Sequence, residues 1–245
     1  SLIPALQEAG EKVHQLISRN EKQAAHFSKT YNIPSFSTKL SDIARETDLI
    51  ILTLPDDTIA SVVKNLLPFT HHLSPIIAHT SGSVSIEALK AWGNQAAVFY
   101  PMQTFTLDKA KRYKEVPLFL EGHADVLGIL EPLARRMSSR VQVLDSASRA
   151  KLHLGAVMVS NFTNLLYTYA DELIPGVDIN AYEPLIRGQL ENVFSLGPRA
   201  SQTGPAARGD EATIHRHLEM LEDSPKVQEL YALASRLIGE LKKEK

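Results

Sequence analysis

The segment that decides the fold is DLIILTLPDDTIASVVKNLLPF, residues 48–69. Its first part is a short apolar run that ends at Pro55, which is typical of a buried strand. The remainder has helical spacing, and Asp56 or Asp57 is predicted to cap that helix by accepting from its first backbone N–H groups. A strand followed at once by a helix is the repeating unit of a parallel sheet with crossover helices. The segment therefore predicts an α/β fold.

The same alternation extends to both sides of this segment. Apolar or β-branched runs between turn residues predict further strands at 12–18, 75–82, 96–101, 116–122 and 140–146, with helices at 20–31 and 124–138. After about Ser146 no strand pattern remains and the chain reads as long helices. We therefore predict a parallel-sheet domain over residues 1–146 and an all-α domain over residues 147–245.

Composition excludes several classes of function. The chain has 245 residues, is 44% hydrophobic and 22% charged, and has a formal net charge of −2 with dispersed basic residues. It therefore lacks the electrostatic footprint needed for nucleic acid or an anionic membrane surface. The absence of cysteine excludes disulfides, thiol nucleophiles and thiolate metal sites. No stretch has the character of a signal peptide or a membrane span, so we expect a cytoplasmic protein.

The helix predicted from Ser148 to Glu172 is apolar on every face, and a helix of this kind is buried. At about 1.5 Å per residue it extends for nearly 40 Å, which is long for a domain of about 100 residues to cover alone. We therefore expect a homodimer in which a partner subunit covers part of this helix. The closing segment, residues 224–245, is instead amphipathic and is predicted to pack on the surface of the bundle.

Polar residues follow three of the predicted strands, where an α/β sheet binds its ligands. Arg19 could pair with the 2′-phosphate of NADP through charge-assisted hydrogen bonds, and no acid that would favour NAD is present beside it. The alternative is that Arg19 is only a solvated residue at a strand end. Small hydroxyl residues beside Gly82 permit close approach to a flat ring, although a plain strand-to-helix turn has the same sequence. The predicted cofactor residues are Ser18, Arg19, Asn20, Leu54, Pro55, Asp56, Thr80, Ser81 and Gly82.

The glycine-rich loop G-x-G-x-x-G, which normally joins the first strand and first helix of a dinucleotide-binding domain, is missing from this sequence. The sequence opens instead on what looks like the first helix, with Gly10 as its C-terminal cap. Two explanations remain open. Roughly the first 10 to 15 residues of a strand-helix-strand unit precede Ser1, or this domain binds no dinucleotide.

Four motifs together resemble a known family. They are HTSGSVSIEAL at 79–89, FYPMQTF at 99–105, KLHLGAVMVSNFTNLLY at 151–167 and TGPAARGDEATIHRHLEML at 203–221. In this order and spacing they resemble the Rossmann-like candidate NADP oxidoreductases, relatives of pyrroline-5-carboxylate reductase and of deazaflavin-dependent NADP reductases. The resemblance covers nearly the whole chain. It implies an N-terminal NADP-binding domain and a C-terminal helical dimerisation domain like that of the 6-phosphogluconate dehydrogenase superfamily.

The resemblance also implies an active site between the domains. There His153 would be a general acid, Asn161 would line the cleft, and Arg208 in the Gly-Pro loop would clamp an anion beside the turn at Ser81. The superfamily often uses a lysine early in this helix, so Lys151 is a rival proton donor. Two residues apart in a regular helix, Lys151 and His153 point in opposite directions, and one of them alone can serve the site.

Structural explanations exist for the same residues. The polar ribbon of His153, Ser160 and Asn164 could be bonded across a dimer interface, and the loop at 203–210 could be a plain connection in which Asp210 caps the next helix. His215 and His217 lie two apart on a helix, a spacing that does not suit a zinc site. The function predicted is an NADPH-dependent reductase of a small carbonyl or imine substrate, with a non-catalytic NADP-binding sensor or scaffold dimer as the alternative.

Overall fold

The computed structural model describes residues 2–70, 74–104 and 113–243. The chain divides into two compact units, Ser1–Val159 and Ser160–Lys245. The division lies inside a long helical stretch, whereas the sequence placed it before that stretch. The reason is that the first turns of this stretch pack on the sheet of the first unit, where Leu152 contacts the cluster around Tyr100 and Phe119.

Over its described residues, the first unit contains seven strands in two sheets. In the smaller sheet, β1 (Gln15–Ile17) pairs in parallel with β2 (Ser35–Ser37). The larger sheet has the order β3 (Leu49–Leu52), β4 (Ile76–His79), β5 (Ala96–Pro101), β6 (Leu118–Gly122) and β7 (Val141–Val143). Its pairs are parallel except that β5 and β6 are antiparallel. The predicted α/β class is confirmed, but two strands, β6 and β7, run opposite to β3, β4 and β5.

The larger sheet is covered on both faces. Along β4, Ile76 and Ala78 join one apolar cluster and Ile77 joins the other, as the two-residue period of a strand requires. The helices of this unit are α1 (Leu2–Glu8), α2 (Glu21–Thr30), α3 (Ile59–Thr70), α4 (Ala124–Met137) and α5 (Ser146–Val157). Residues of α1 and α4 belong to the first cluster and residues of α3 to the second. This two-sided burial explains the nearly continuous apolar strands.

Two local predictions about helix ends have different outcomes. Gly10 has a φ of 86° directly after α1, and Glu11 N donates to Leu6 O at 2.9 Å, so the predicted C-terminal glycine is confirmed. The predicted capping by Asp56 or Asp57 is wrong, because neither carboxylate accepts from a backbone N–H group among the described residues. Asp56 lies in a short 3₁₀ turn before α3 whose cap position, Pro55, offers no side-chain acceptor. Its carboxylate instead accepts from the hydroxyl of Ser83.

The second unit is helical. Its helices are α6 (Thr163–Glu172), α7 (Glu183–Leu196), α8 (Pro205–Arg208), α9 (Glu211–Met220) and α10 (Pro225–Lys243). The short helix α8 packs against α9 and α10. The amphipathic C-terminal helix is as predicted over the described residues, and residues 244 and 245 lie outside them. None of the helices within the described ranges combines the length and apolar character needed to cross a membrane.

The helix predicted over 148–172 differs from expectation in two ways. A π-helical segment, Met158–Phe162, interrupts it between α5 and α6. Its apolar side chains are also exposed in the single chain, with Val159 at 76% and Met158 at 56%. The single chain thus leaves these side chains uncovered, and their burial by a partner subunit stays a prediction.

Candidate active site

The turn that follows β4 is held rigidly by its own hydroxyl groups. Thr80 bonds to the end of β3, since its backbone N–H and its hydroxyl both donate to Leu52 O at 3.2 Å. The Ser81 hydroxyl oxygen accepts from the backbone N–H groups of Ser83 and Val84 at 3.2 and 3.0 Å. Ser81 itself is buried. The predicted site residues Thr80 and Ser81 thus shape the turn at the carboxyl end of the strand.

Gly82 lies directly beneath two aromatic side chains. A Cβ atom added at Gly82 would lie 2.6 Å from His153 Nδ1 and 2.7 Å from Tyr100 Cζ. These distances are shorter than any carbon side chain tolerates, so only glycine leaves room for both rings. On the side where its Cβ would lie, Gly82 is thus approached by two rings of the protein itself.

Tyr100 and His153 contact each other above this glycine. The Tyr100 hydroxyl lies 3.1 Å from His153 Nδ1, and the ring centroids are 5.9 Å apart in an edge-on arrangement. Tyr100 occupies the fifth position of β5, near the end that adjoins the β4 turn. Burial raises the pKa of Tyr100, with a smaller opposing effect from the positive charge of Arg149. The phenol therefore keeps its proton at neutral pH.

A buried ion pair fixes the start of α5 to the sheet. Arg149, whose side chain is 1% exposed, pairs with the Glu121 carboxylate of β6 and donates to Val84 O. Ser146 completes the cluster, because its hydroxyl donates to Glu121 Oε2 at 2.8 Å and accepts from Ile86 N at 3.0 Å. Arg149 precedes His153 by one helical turn. The cluster therefore sets where His153 lies relative to the β4 turn.

His79, the last residue of β4, is fully buried next to this cluster. Desolvation, together with a smaller effect of the positive charge of Arg149, lowers the pKa of His79 to about 4. Its Nδ1 accepts from Ser81 N at 3.2 Å. His79 is thus a neutral group at physiological pH that anchors the β4 turn from below.

The residues predicted to hold the cofactor after β1 have mainly local contacts. The Ser18 hydroxyl accepts from Asn20 N at 3.2 Å, and Asn20 Oδ1 caps α2 by accepting from Gln23 N at 3.1 Å. Arg19 is exposed and forms no ion pair with any residue that the structure describes. Its guanidinium is therefore available to an anion.

The predicted residues after β3 have separate contacts, one of which reaches the β4 turn. Leu54 packs against the apolar cluster of α3, and Pro55 O accepts from the backbone of Thr58 at 3.0 Å. Asp56 bonds to Ser83 and so links the β3 and β4 turns. The segment after β3 is therefore held by hydrogen bonds and packing that the apolar periodicity of the sequence does not reveal.

The two rival proton donors on α5 have different surroundings. Lys151 is exposed, and its charge is a minor contributor to the lowered pKa of Asp145, which is held low mainly by the hydrogen bond from Ser148 N. His153 is half-buried and contacts Tyr100. The structure thus brings His153, and not Lys151, to the β4 turn.

The remaining predicted residues, Asn161 and Arg208, lie in the second unit, and both are exposed. Asn161 belongs to the π-helical segment and Arg208 ends α8. Asp210 caps α9 by accepting from Thr213 N at 3.0 Å, as predicted. That Asn161 and Arg208 face the same site as Ser81 stays a prediction.

The histidine pair of α9 was not expected to bind zinc, and its members contact different partners. His215 lies 3.3 Å from Glu219 on the exposed side of the helix, whereas His217 Nδ1 lies 2.7 Å from the Tyr231 hydroxyl of α10. No group of three or more metal-ligating side chains occurs among the residues that the structure describes.

Sequence reasoning missed Tyr100, Glu121 and Arg149. Tyr100 belongs to the FYPMQTF motif, and its place at the carboxyl end of a predicted strand was a signal for a site residue. Phe105 of the same motif lies outside the described residues. Arg149 could have been noticed as a charge four residues before His153 on a helix expected to be buried. Glu121 carried no signal beyond its position in a predicted strand.

Fold and turn geometry define a Rossmann-like class of protein, and comparison with known families agrees. A model described as a Rossmann-like domain matches residues 1–103. The chain belongs to the family described as domain of unknown function DUF2520, whose model matches residues 116–238. No curated protein matches the chain at a significant level.

Solved structures share this fold over nearly the whole chain. A candidate NADP oxidoreductase from Bacteroides fragilis is 34% identical, with a TM-score of 0.88 over 98% of this chain and 93% of that one. An imine reductase from Myxococcus stipitatus in complex with NADP⁺ is 16% identical, with a TM-score of 0.69 over 99% and 90%. A pyrroline-5-carboxylate reductase from Coxiella burnetii is 13% identical, with a TM-score of 0.53 over 99% and 93%. The fold is thus one that NADP-dependent oxidoreductases use.

Proposed function

We propose that the protein is an NADP-dependent oxidoreductase that reduces a small carbonyl or imine substrate, with His153 as the proton donor. The observation that carries this proposal is the contact of His153 with Tyr100 above Gly82, at the carboxyl ends of β4 and β5. Ligands of α/β sheets bind at such strand ends. A half-buried imidazole there meets the geometric need of a general acid.

The residues that would hold the cofactor are those that follow the strands. Arg19 would bind the 2′-phosphate of NADP, since its guanidinium is exposed and forms no ion pair within the described ranges. The residues around it and after β3 and β4 (Ser18, Asn20, Leu54, Pro55, Asp56, Thr80, Ser81 and Gly82) would line the remainder. When bound, NADPH supplies a hydride. The protein supplies orientation and a proton.

Arg19 gives the test of this proposal. We expect NADP to raise the melting temperature of the wild-type protein more than NAD does at matched concentration, because a ligand that binds the native state alone stabilises it. Arg19→Ala should weaken NADP binding by about 10- to 100-fold, which is the value of one charge-assisted hydrogen bond. It should leave NAD binding unchanged. The measurements are thermal shift and isothermal titration calorimetry.

The matched control is Arg45→Ala, which removes an exposed arginine from the segment before β3, at the amino end of that strand. This variant should bind both cofactors as the wild type does. Equal affinities of the wild type for NADP and NAD would contradict the assignment of Arg19.

We further propose that the protein is a homodimer formed through its helical unit. Large apolar side chains stand exposed along α7, with Phe194 at 86% and Leu185 at 72%. Large apolar side chains exposed in this number on one helix favour an interaction site.

Light scattering at micromolar concentration should therefore give the mass of two chains. Phe194→Glu should shift it towards one chain, because a carboxylate would lose hydration at the interface. The control Lys226→Glu, at an exposed site on α10, should leave the mass unchanged. A wild-type protein with the mass of one chain would contradict this proposal.

A further inference from the structure

The contact with Tyr100 favours one tautomer of the neutral His153 ring. Tyr100 is 7% exposed, and burial raises its pKa, so its hydroxyl keeps a proton to donate. A phenol is a good hydrogen-bond donor and a neutral imidazole nitrogen is a good acceptor. At 3.1 Å the arrangement is therefore Tyr100 O–H donating to His153 Nδ1. Nδ1 then carries no proton, and the neutral ring is protonated on Nε2.

The second nitrogen of His153 is open. Nε2 forms no hydrogen bond with the residues that the structure describes. It is also not one of the buried polar atoms that lack a hydrogen-bond partner. In the neutral ring this atom is the N–H donor. His153 thus presents a single N–H group to whatever binds above the β4 turn.

We propose that Tyr100 is a positioning residue that holds neutral His153 as its Nε2–H tautomer, and that the site consequently takes a carbonyl substrate in preference to a protonated imine. The inferred substrate class rests on the proposed function, whereas the inferred tautomer does not. The tautomer selects between a carbonyl and an imine, the two substrate types that the proposed function includes.

The selection follows from hydrogen-bond polarity. A carbonyl oxygen has lone pairs that accept from Nε2–H, whereas the N–H of a protonated imine would meet Nε2–H donor against donor. A hydrogen-bonding site rejects an analogue that leaves its polar group unpaired. Bound NADPH would supply the hydride to the carbonyl carbon, and the carbonyl oxygen would then carry the electron pair of the broken π bond.

The proton transfer then involves both His153 and Tyr100. The Nε2 proton passes to the new alkoxide oxygen and yields the alcohol. Nδ1 regains a proton from the Tyr100 hydroxyl, and Tyr100 is reprotonated from water. The positive charge of Arg149 offsets part of the effect by which burial raises the pKa of Tyr100.

The chain contains a matched control for this contact. His217 and Tyr231 in the second unit have the same geometry, with Nδ1 2.7 Å from the hydroxyl, ring centroids 5.6 Å apart and an interplanar angle of 76°. The corresponding angle for His153 and Tyr100 is 75°. The control pair lies between two helices and not at a strand end. Removal of either tyrosine hydroxyl is therefore the same chemical change in two settings.

The experiment is ¹⁵N NMR of the imidazole rings in the full protein without cofactor, at about pH 8.5, where an ordinary histidine is neutral. His153 is assigned by the loss of its signals in His153→Asn. We expect a protonated Nε2 and an unprotonated Nδ1 in the wild type. Tyr100→Phe should give a mixture of both tautomers, while Tyr231→Phe should change His217 and leave His153 as it was. A wild-type His153 protonated on Nδ1, or a tautomer unaltered in Tyr100→Phe, would overturn the proposal.

The substrate class is tested with NADPH and two five-membered rings, cyclopentanone and 1-pyrroline. We expect kcat/KM to favour the ketone at least about tenfold, and Tyr100→Phe to lower kcat for the ketone by about 10- to 100-fold with KM little changed. Preferential reduction of 1-pyrroline would overturn the carbonyl assignment. Reduction of neither probe, without stabilisation by NADP, would overturn the proposed function and leave the tautomer result standing.

Discussion

Arg149→Met is expected to lower the free energy of unfolding by about 3–5 kcal/mol, because removal of one partner leaves the other charge buried and unpaired. The side chain of Glu121 is 16% exposed and that of Arg149 only 1%, so water cannot replace the lost guanidinium fully. Val84 O would also lose its donor. Urea denaturation of the purified variant measures the effect.

The control for this variant is Arg187→Met. Arg187 forms the same kind of ion pair with Glu183, but these side chains are 72% and 52% exposed. An exposed pair of this type contributes about 0.3–0.5 kcal/mol. A loss of stability in Arg149→Met no larger than in Arg187→Met would show that the buried pair does not hold α5 on the sheet.

Gly82→Ala is expected to lower the free energy of unfolding by about 1–3 kcal/mol, which is the usual cost of an extra methyl group in a filled space. The new Cβ would lie within 2.8 Å of three atoms, of which two belong to His153 and one to Tyr100. Removal of the His153 imidazole should therefore relieve much of the strain. In a His153→Ala background the same substitution should cost clearly less, as a double-mutant cycle would measure.

Gly128→Ala is the matched control for Gly82→Ala. Gly128 lies within α4, and a Cβ added there would meet nothing within 4 Å. This change should raise stability by about 0.5–1 kcal/mol, since alanine is the better helix residue. Additive effects of Gly82→Ala and His153→Ala would contradict the close approach of ring and turn.

Strands buried on both faces were predictable because their apolar runs are continuous. The strand Ala96–Pro101 was predicted with its correct first and last residues, whereas the strand Ser35–Ser37 was missed. The missed strand has the sequence SFS and its burial is slight, so it offers neither a continuous run nor a clear alternation. The antiparallel pairing of β6 was not predictable either, since direction depends on the path of the chain between strands, and most of the residues between β5 and β6 carry no strong pattern.

The candidate site was predicted in part. His153 and the turn at Ser81 were named, the first through family resemblance and the second through its place after a strand. Tyr100 was overlooked because a tyrosine in a buried strand fits an apolar core equally well. Arg149 was overlooked because charge in a helix is normally solvent-exposed, and the presence of Glu121 opposite it depends on tertiary structure.

The cluster around Arg149 also bears on how the first unit folds and opens. Its members come from the β4 turn, from β6 and from α5, and its long-range bonds join residues 65 and 28 positions apart in the chain. Such contacts form only after the intervening loops have closed. A helix docked without them would bury an uncompensated charge, so partial docking is disfavoured. The start of α5 and the β4 turn therefore form and open together as one cooperative unit.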